Sequence, residues 1–316
     1  MKKKNYLYYW AQNMITESGE GILCQKFLDL VAKKYPNSKL INLNNFKFRE
    51  NLFYNYIIPF IGVIKIWYFF LRGYKISYVN YLPIWNFLLF LLLPNKTILG
   101  PITGTSSKKS ILYIHLKKIT LIIIRYKWKK FLFSHDQFKD ELLNYSNKIY
   151  YNFLFYNFKM IKNKNNFKKF DLVYYYRKNS NKGNQFYLSM IKNISDVYKI
   201  AIIGDKLDIT GYHNIKYFFW PNRKKAKKII ALSKFGILTK ENIFSLFALD
   251  CLSLNVPVFF NKDLKISNYF KNHSSLIPIY YSEINKSSQI ILKNLKKKNK
   301  PIKFDFKRVN FLEYLD

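Results

Sequence analysis

The chain alternates short apolar runs of strand length with longer stretches of helical periodicity, and it does so twice. A Lys/Asn-rich stretch without clear periodicity, residues 157–169, separates the two runs of alternation. Strands that alternate with helices indicate parallel sheets with helices on both faces. The sequence therefore predicts an α/β protein of two doubly wound domains, with residues 157–169 as the linker between them.

The individual elements follow from the period at which apolar residues recur. Strands are expected at residues 6–10, 39–43, 76–79, 97–99, 130–134, 171–176, 199–203, 215–220, 235–239, 256–261 and 276–281. Helices are expected at residues 22–33, 57–70, 83–93, 113–128, 138–145, 184–194, 223–232, 243–254 and 282–298. With 316 residues and 49% hydrophobic content, the chain can build cores for two such domains.

The net charge of +36 comes mainly from lysine. Part of it is what an AT-rich genome would produce, since Lys, Asn, Ile, Tyr and Phe are all plentiful. Such a charge attracts anions, which include nucleic acid, anionic lipid and phosphorylated substrates. Nucleic-acid readers favour Arg for bidentate contacts, and Arg is scarce here, which argues against nucleic acid as the partner.

The two cysteines, Cys24 and Cys251, lie in apolar helical patterns that favour buried free thiols. Without a disulfide framework or zinc spacing, a reducing, cytoplasmic setting is expected. The N-terminus lacks the apolar core of a signal peptide. Residues 52–71 are long enough to cross a bilayer, but polar, basic and proline residues interrupt them. We therefore expect an amphipathic helix there, and a protein that is peripheral on the inner face of the cell membrane.

Residues 171–183 contain the first candidate site. A predicted strand ends near Arg177, and Lys182 and Gly183 open the helix that follows a short loop. Cations at a helix N-terminus form an anion site, because the free amides and the helix dipole add to their charge. The alternative is a solvated loop in a Lys-rich protein, but the rarity of Arg favours a functional Arg177.

Residues 241–260 form the second candidate site, where Glu241 and Asp250 begin and interrupt an apolar helix that precedes a Pro-containing turn and a strand. Charge on a packed helix is costly without a partner, and sugar or ribose hydroxyls in a cleft would supply one. The alternative is a capped core helix before a buried strand. Gly19 and Gly21, before the first predicted helix, are a weaker signal of phosphate or substrate contact.

Taken in order, these features resemble the C-terminal half of GT-B glycosyltransferases, and most closely the large retaining group that uses nucleotide-activated sugars. The resemblance rests on Arg177 with the Lys-Gly pair after it, the strand that ends in Gly204, and the carboxylate helix before a Pro-Val strand. It covers residues 171–261, and a glycine turn at 100–104 extends it weakly toward the N-terminus. It implies two Rossmann-like domains that face a central cleft.

The resemblance also implies a division of labour between the domains. Residues 1–160 would form the acceptor-binding domain and residues 170–285 the nucleotide-sugar-binding domain. Residues 286–316 would be a C-terminal helix and tail that packs back on the N-terminal domain. The donor is a substrate, and neither a metal nor another cofactor is implied.

The resemblance further assigns roles to individual residues. Arg177 and Lys182 would grip the donor diphosphate and stabilise it as the leaving group, with Glu241 as the third catalytic residue. The implied donor-binding residues are Gly19 and Gly21 near the diphosphate and the acceptor, Gly204 near the base, Asp250 at the ribose hydroxyls, and Asn242.

The chain departs from the family pattern at the paired acids. Seven residues separate the two acids of the family motif, and counting back from Asp250 places Asn242 in the first position. Either a shift of one residue brings Glu241 into the site, or Asn242 binds by hydrogen bonding. The second acid is Asp rather than Glu. The N-terminal His that the family often keeps has only regional candidates, His115 and His135.

The leading functional hypothesis is a glycosyltransferase that moves a sugar from a nucleotide-diphosphate sugar to a lipid-linked or cell-surface glycan of the polysaccharide or lipopolysaccharide type. The basic helix predicted near 113–130 and the apolar segment 52–71 suit an anionic membrane surface. Asn242 favours one alternative, a catalytically degenerate GT-B protein that binds a nucleotide sugar or a partner. A nucleic-acid-binding protein is the other alternative, and no nucleic-acid-binding motif supports it.

Overall fold

The computed structural model describes twelve stretches of the chain: residues 6–11, 19–41, 52–79, 82–103, 110–133, 148–151, 168–178, 183–207, 214–240, 245–264, 274–297 and 311–315. Contacts between residues divide the chain into two compact units. The first unit comprises residues 1–156 and 308–316, and the second unit comprises residues 157–307.

Within the residues that the structure describes, short parallel strands, four α-helices and one 3-10 helix build the first unit. The strands are β1 (Leu7–Trp10), β2 (Lys39–Leu40), β3 (Lys75–Tyr78), β4 (Leu82–Pro83), β5 (Ile98–Leu99), β6 (Ile102–Thr103), β7 (Lys130–Phe133) and β8 (Lys148–Tyr151). The helices are α1 (Gly19–Lys34), α2 (Leu52–Leu71), α3 (Phe87–Leu92), α4 (Ile111–Lys127) and a C-terminal 3-10 helix (Phe311–Leu315).

The strands of the first unit form two parallel sheets, ordered β2-β1-β3-β5 and β4-β6-β7-β8. Because β4 follows β3 and β6 follows β5, the chain passes from one sheet to the other at two neighbouring places. Hydrogen bonds from the Gly100 amide to the Tyr78 carbonyl (2.7 Å) and from the Leu82 amide to the Pro101 carbonyl (2.9 Å) join the chain at this crossing.

Close approaches hold helices and termini to these sheets. A Cβ on Gly62 would lie 2.5 Å from the Trp10 ring, so this glycine allows α2 to approach β1. At the other end of the chain, the Tyr314 hydroxyl donates to the Leu99 carbonyl (2.8 Å). The Tyr35 hydroxyl donates to the Leu315 carbonyl (2.8 Å), which ties the 3-10 helix to α1.

In its described stretches, the second unit is a six-stranded parallel sheet with four helices. Its strands are β9 (Phe170–Tyr176), β10 (Ile200–Gly204), β11 (Ile215–Phe219), β12 (Ser233–Ile237), β13 (Val258–Asn261) and β14 (Leu276–Ile279). Its helices are α5 (Asn184–Ile194), α6 (Arg223–Ala231), α7 (Leu246–Ser253) and α8 (Ile284–Leu295).

The strand order of the second unit is β11-β10-β9-β12-β13-β14. The chain therefore moves outward from β9 on one side, and then returns beside β9 to build β12 to β14 on the other. This reversal places a topological switch point between β9 and β12, where ligands bind in open α/β sheets. The predicted α/β class with parallel sheets is confirmed.

Hydrophobic burial explains why this sheet forms. Every residue of β10 is buried, and its near-continuous apolar sequence is typical of a parallel strand covered on both faces. The apolar face of α5, with Tyr187, Met190 and Ile191, enters the same core as Ile291 and Leu295 of α8. Residues at this spacing lie on one side of a helix, so each helix covers the sheet with one face.

Some predicted boundaries differ from the observed ones. The helix expected at 83–93 is instead a short strand followed by α3, because the Asn86 side chain accepts from the Leu89 amide (3.3 Å) and caps the helix there. Helix α1 begins at Gly19, three residues before its expected start. The helix expected at 138–145 lies outside the described residues.

The C-terminal residues fall into both units. Helix α8 packs on α5 within the second unit, whereas the 3-10 helix belongs to the first unit. Among the helices that the structure describes, none combines the length and the apolarity needed to cross a bilayer.

Candidate functional site

The carboxyl ends of β9 and β12 meet at the switch point of the second unit. Arg177 directly follows β9 and is exposed, and Lys240 follows β12 and is exposed as well. Helix α5 begins nearby, since the Asn184 amide group donates to the Arg177 carbonyl (2.5 Å). The structure thus brings the predicted residue Arg177 to the N-terminus of the predicted helix.

Gly183 caps α5 in a left-handed conformation with φ of 70°. A Cβ at this position would lie 2.5 Å from the Tyr281 ring, so the close approach of this ring also requires glycine. The Lys240 ammonium lies 4.2 Å from the centroid of the same ring. Lys240 and Arg177 therefore both lie near the start of α5, where free amides and the helix dipole favour an anion.

Asn184 fixes the direction in which α5 leaves the sheet. Its carbonyl oxygen accepts a hydrogen bond from the Tyr174 hydroxyl (2.9 Å), while its amide group bonds the end of β9. The Tyr174 hydroxyl is almost fully buried, and burial raises the pKa of this phenol far above its ordinary value. Tyr174 is therefore a neutral donor, and its bond to Asn184 is a fixed part of the site.

Gly204 ends β10 with φ of 133°, a conformation that L side chains rarely adopt. A Cβ there would lie 1.9 Å from the Tyr176 carbonyl oxygen. The glycine at this position therefore has a structural reason within the sheet, because the chain after β10 passes close to the end of β9. Its contact with a base stays a prediction.

The sequence reasoning missed a side-chain network next to Gly204. Asp205 accepts from the Lys178 amide (2.6 Å) and from the Trp220 indole (2.9 Å). The Arg177 guanidinium carbon lies 5.8 Å from the Trp220 ring centroid. The signals were present in the sequence: an acid directly after a buried strand, and a tryptophan directly after the next strand.

Asp250 lies in α7 and is only 5% exposed. One of its oxygens is 3.4 Å from the Arg223 guanidinium and 3.3 Å from the Lys227 ammonium, both on α6. Burial lowers the pKa of Arg223. The carboxylate that the sequence offered to ribose hydroxyls thus has two protein cations as partners, and it joins α6 to α7. Its role toward ribose stays a prediction.

The roles of five further predicted residues stay predictions. Gly19 and Gly21 lie in the first turn of α1, in the first unit. Lys182, Glu241 and Asn242 lie outside the described residues.

The two histidine candidates differ in whether the structure describes them. His115 is exposed on α4, and His135 lies outside the described residues. Among the residues that the structure describes, no group of three or more His, Cys, Asp or Glu side chains could hold a metal ion.

No family model and no curated protein matches the chain. Solved structures do match it. Sucrose-phosphate synthase from Thermosynechococcus elongatus is 11% identical with a TM-score of 0.62, over 92% of this chain and 90% of that one. HepE from Anabaena, in complex with UDP, is 11% identical with a TM-score of 0.57, over 92% and 90%. UDP-GlcNAc 2-epimerase from Methanocaldococcus jannaschii, in complex with UDP-GlcNAc and UDP, is 11% identical with a TM-score of 0.56, over 94% and 95%.

These similarities show that the chain has a GT-B glycosyltransferase-like fold, with Rossmann-like parallel sheets. The fold that the sequence resemblance implied is therefore confirmed. At 11% identity the similarity concerns the fold alone, and the chemistry has to be argued from the residues of this chain.

Proposed function

We propose that the chain is a glycosyltransferase that takes a nucleotide-diphosphate sugar as its donor and binds it in the second unit. The observation that carries this proposal is the position of Arg177 and Lys240 beside the N-terminus of α5 at the switch point of the sheet. A diphosphate carries the charge and the acceptor oxygens that this arrangement suits. The solved structures of similar fold that contain UDP or UDP-GlcNAc support the same ligand class.

In this proposal the cations act on the leaving group. Breaking the bond between sugar and diphosphate concentrates negative charge on the departing diphosphate. Arg177 and Lys240, together with Lys182 as implied by the sequence resemblance, stabilise that charge as it develops. The amides at the start of α5 provide further donors without reorganisation, because Gly183 and Asn184 fix that turn.

The proposal assigns the rest of the donor to neighbouring strand ends. Trp220 is 43% exposed, and its ring offers a flat apolar surface for the nucleobase beside Gly204. Asp205 holds the indole in place from its nitrogen edge. Further roles are carried over from the sequence resemblance. Asp250 would bind the ribose hydroxyls, Asn242 would help to bind the donor, and Glu241 would be a catalytic residue. Gly19 and Gly21 would lie near the diphosphate and the acceptor.

The finer parts of the proposal concern the acceptor and the stereochemistry. We propose a lipid-linked or cell-surface glycan acceptor, of the polysaccharide or lipopolysaccharide type, and retention of the anomeric configuration. The resemblance to the retaining group supports retention. The basic composition of the chain supports an acceptor at an anionic surface.

The same assay distinguishes two other functions from glycosyl transfer. Asn242 in the position of the first family acid favours a degenerate protein that binds a nucleotide sugar without turnover. The epimerase of similar fold raises a second possibility, conversion of the nucleotide sugar itself. Transfer, epimerisation and binding differ in products, because only transfer releases a nucleoside diphosphate and moves the sugar to an acceptor.

The test is a turnover assay with purified chain, radiolabelled nucleotide sugars and a bacterial membrane lipid extract. We expect one donor to give both free nucleoside diphosphate and label in the lipid fraction. Arg177→Ala should lower the rate by about 100-fold or more, the usual effect of removing one donor to a developing anion. Lys293→Ala, an exposed cation in the last turn of α8, is the matched control and should retain the wild-type rate.

Each other outcome has a definite meaning. Wild-type turnover in Arg177→Ala would contradict the role of Arg177 and of the switch point in stabilising the leaving diphosphate. Binding of a nucleotide sugar without any product would favour the degenerate protein. A new nucleotide sugar without release of diphosphate would favour epimerisation.

A further inference from the structure

Exposed large apolar side chains are concentrated on three helices of the first unit. Among the described residues, the exposed apolar residues of α2, α3 and α4 together form what we call the apolar helix face. Its members are Ile64, Trp67, Tyr68 and Leu71 of α2, Leu88, Leu91 and Leu92 of α3, and Ile111, Leu112, Ile114, Ile119, Ile122 and Tyr126 of α4. Exposed apolar patches of this extent are rare on soluble proteins unless they bind something.

Hydrogen bonds between the three helices show that they are neighbours. The Trp67 indole of α2 donates to the Leu92 carbonyl of α3 (2.7 Å). From the other side, the Lys127 ammonium at the end of α4 donates to the carbonyls of Leu91 (2.7 Å) and Leu93 (2.5 Å). The end of α3 therefore contacts both α2 and α4, and the three helices are neighbours in the first unit.

Helix α4 shows that this face is separate from the core. Its buried side contains Leu121 and Ile124, which contact the rest of the first unit. At 100° per residue, Ile119, Ile122 and Tyr126 lie on the opposite side. Tyr126 is 78% exposed and Leu71 of α2 is 77% exposed. The outward side of α4 also carries His115, Lys118 and Arg125, so its exposed apolar residues lie among polar ones and are not required for folding.

The charged residues of the segment that contains these three helices all have the same sign. Between Glu50 and Asp136 the sequence contains no acidic residue, and this interval includes all three helices. Lys65 of α2 and Lys118 of α4 are exposed beside the apolar residues. The Arg72 guanidinium stacks 4.0 Å from the Tyr68 ring centroid. A partner for this surface must therefore be apolar and must also carry negative charge.

We propose that the apolar helix face binds the surface of an anionic lipid bilayer. Acyl chains accept the Ile and Leu side chains, anionic headgroups pair with the surrounding cations, and Trp67, Tyr68 and Tyr126 suit the interface between them. The charge pattern argues against a second copy of this chain, because two such faces would bring only cations together. The membrane would hold the first unit against lipid-linked acceptors.

This proposal concerns the first unit and does not depend on the donor site in the second unit. Vesicle binding and nucleotide binding can therefore succeed or fail separately. Binding of vesicles without binding of any nucleotide would support the membrane-binding surface and contradict the proposed transferase. Binding of nucleotide without binding of vesicles would support the donor site and contradict the membrane-binding proposal.

The test is flotation of the full chain with vesicles of phosphatidylcholine, with and without phosphatidylglycerol. We expect binding to vesicles that contain phosphatidylglycerol, and at least tenfold weaker binding to pure phosphatidylcholine. Replacing Ile122 and Tyr126 together by Ser should weaken binding by more than about tenfold, because both side chains lose their burial in lipid. Lys65→Gln with Lys118→Gln should weaken it by about thirtyfold, since each cation near the surface accounts for about fivefold.

Matched controls lie in the second unit. Val197 is 76% exposed, so Val197→Ser removes an exposed apolar residue that is not part of the apolar helix face, and Lys293→Gln removes a comparable cation. Both controls should bind vesicles like the wild-type chain, and every variant should keep its melting temperature. Equal binding to both kinds of vesicle, or no effect of the helix-face variants, would overturn the proposal. Loss of a concentration-dependent dimer in those variants would overturn it in favour of self-association.

Discussion

Single glycines show how far a residue's role can be inferred from sequence. Gly183 and Gly204 stand where the sequence resemblance places glycines, at a helix start and at a strand end. The structure adds the reasons, which are the Tyr281 ring against Gly183 and the Tyr176 carbonyl against Gly204. Neither neighbour could be predicted, because Tyr281 follows β14 far along the chain and Tyr176 is brought to Gly204 by the pairing of β10 with β9.

A series of Gly→Ala variants tests these reasons. Gly73 has φ of 77° and open space around it, so Gly73→Ala should cost only about 1 kcal/mol for the backbone conformation. Gly204→Ala should lower the free energy of unfolding by clearly more, because its Cβ would collide with a carbonyl oxygen that the sheet holds in place. Urea denaturation of both variants measures the difference.

Gly183→Ala should fall between these two variants, since the Tyr281 ring can shift more easily than backbone. Equal losses of stability at Gly73 and Gly204 would contradict the close approach after β10. The Gly73 variant serves as the control for backbone strain, because it lacks neighbouring atoms within 4 Å.

At the scale of elements, the ion pairs of Asp250 connect two helices. The sequence offered two interpretations for this acid, a ribose ligand and a capped core helix. The structure caps α7 with Ser245 and pairs Asp250 with Arg223 and Lys227. The sequence could not predict these partners, because they lie on a different helix from Asp250 and their contact depends on the tertiary packing of α6 against α7.

Asp250→Ala should therefore destabilise the second unit. Removing the buried acid breaks its ion pairs with two partly buried cations, which we expect to cost about 2–3 kcal/mol, less than for fully buried pairs because these cations reach solvent. Asp196→Ala is the control, since this acid is exposed between α5 and β10. Denaturant unfolding and nucleotide affinity should be measured on the same samples. Unchanged stability with weakened affinity would instead assign the carboxylate to the ligand.

Most elements of the second unit were predictable from sequence. A buried parallel strand has a continuous apolar sequence, and each helix that covers the sheet has one apolar face. The range 184–194 for α5 agrees between sequence and structure. In the first unit, the expected helix at 83–93 is wrong over its first residues, because a local cap at Asn86 and a short strand compete with the apolar pattern. Local capping of this kind is not visible in periodicity.

At the scale of the whole molecule, the order of motifs along the chain predicted the GT-B fold, although no single motif was specific. The strand order could not be deduced, because periodicity does not say which strands are neighbours. Only that order reveals that Arg177 and Lys240, distant in sequence, follow adjacent strands. The same strand order brings Trp220 and Asp205 to this site, because they follow the neighbouring strands β11 and β10.

We propose above all that the second unit binds a nucleoside diphosphate at this switch point. A thermal-shift screen tests this binding most directly. The purified chain is heated with UDP, GDP, ADP, CMP and their common sugars. A ligand at 100 times its Kd stabilises the folded chain by about 2.7 kcal/mol, which raises the melting temperature by several degrees. We predict such a rise with one diphosphate, its loss in Arg177→Ala and its retention in Lys293→Ala. No rise with any nucleotide, or an equal rise in Arg177→Ala, would contradict the account.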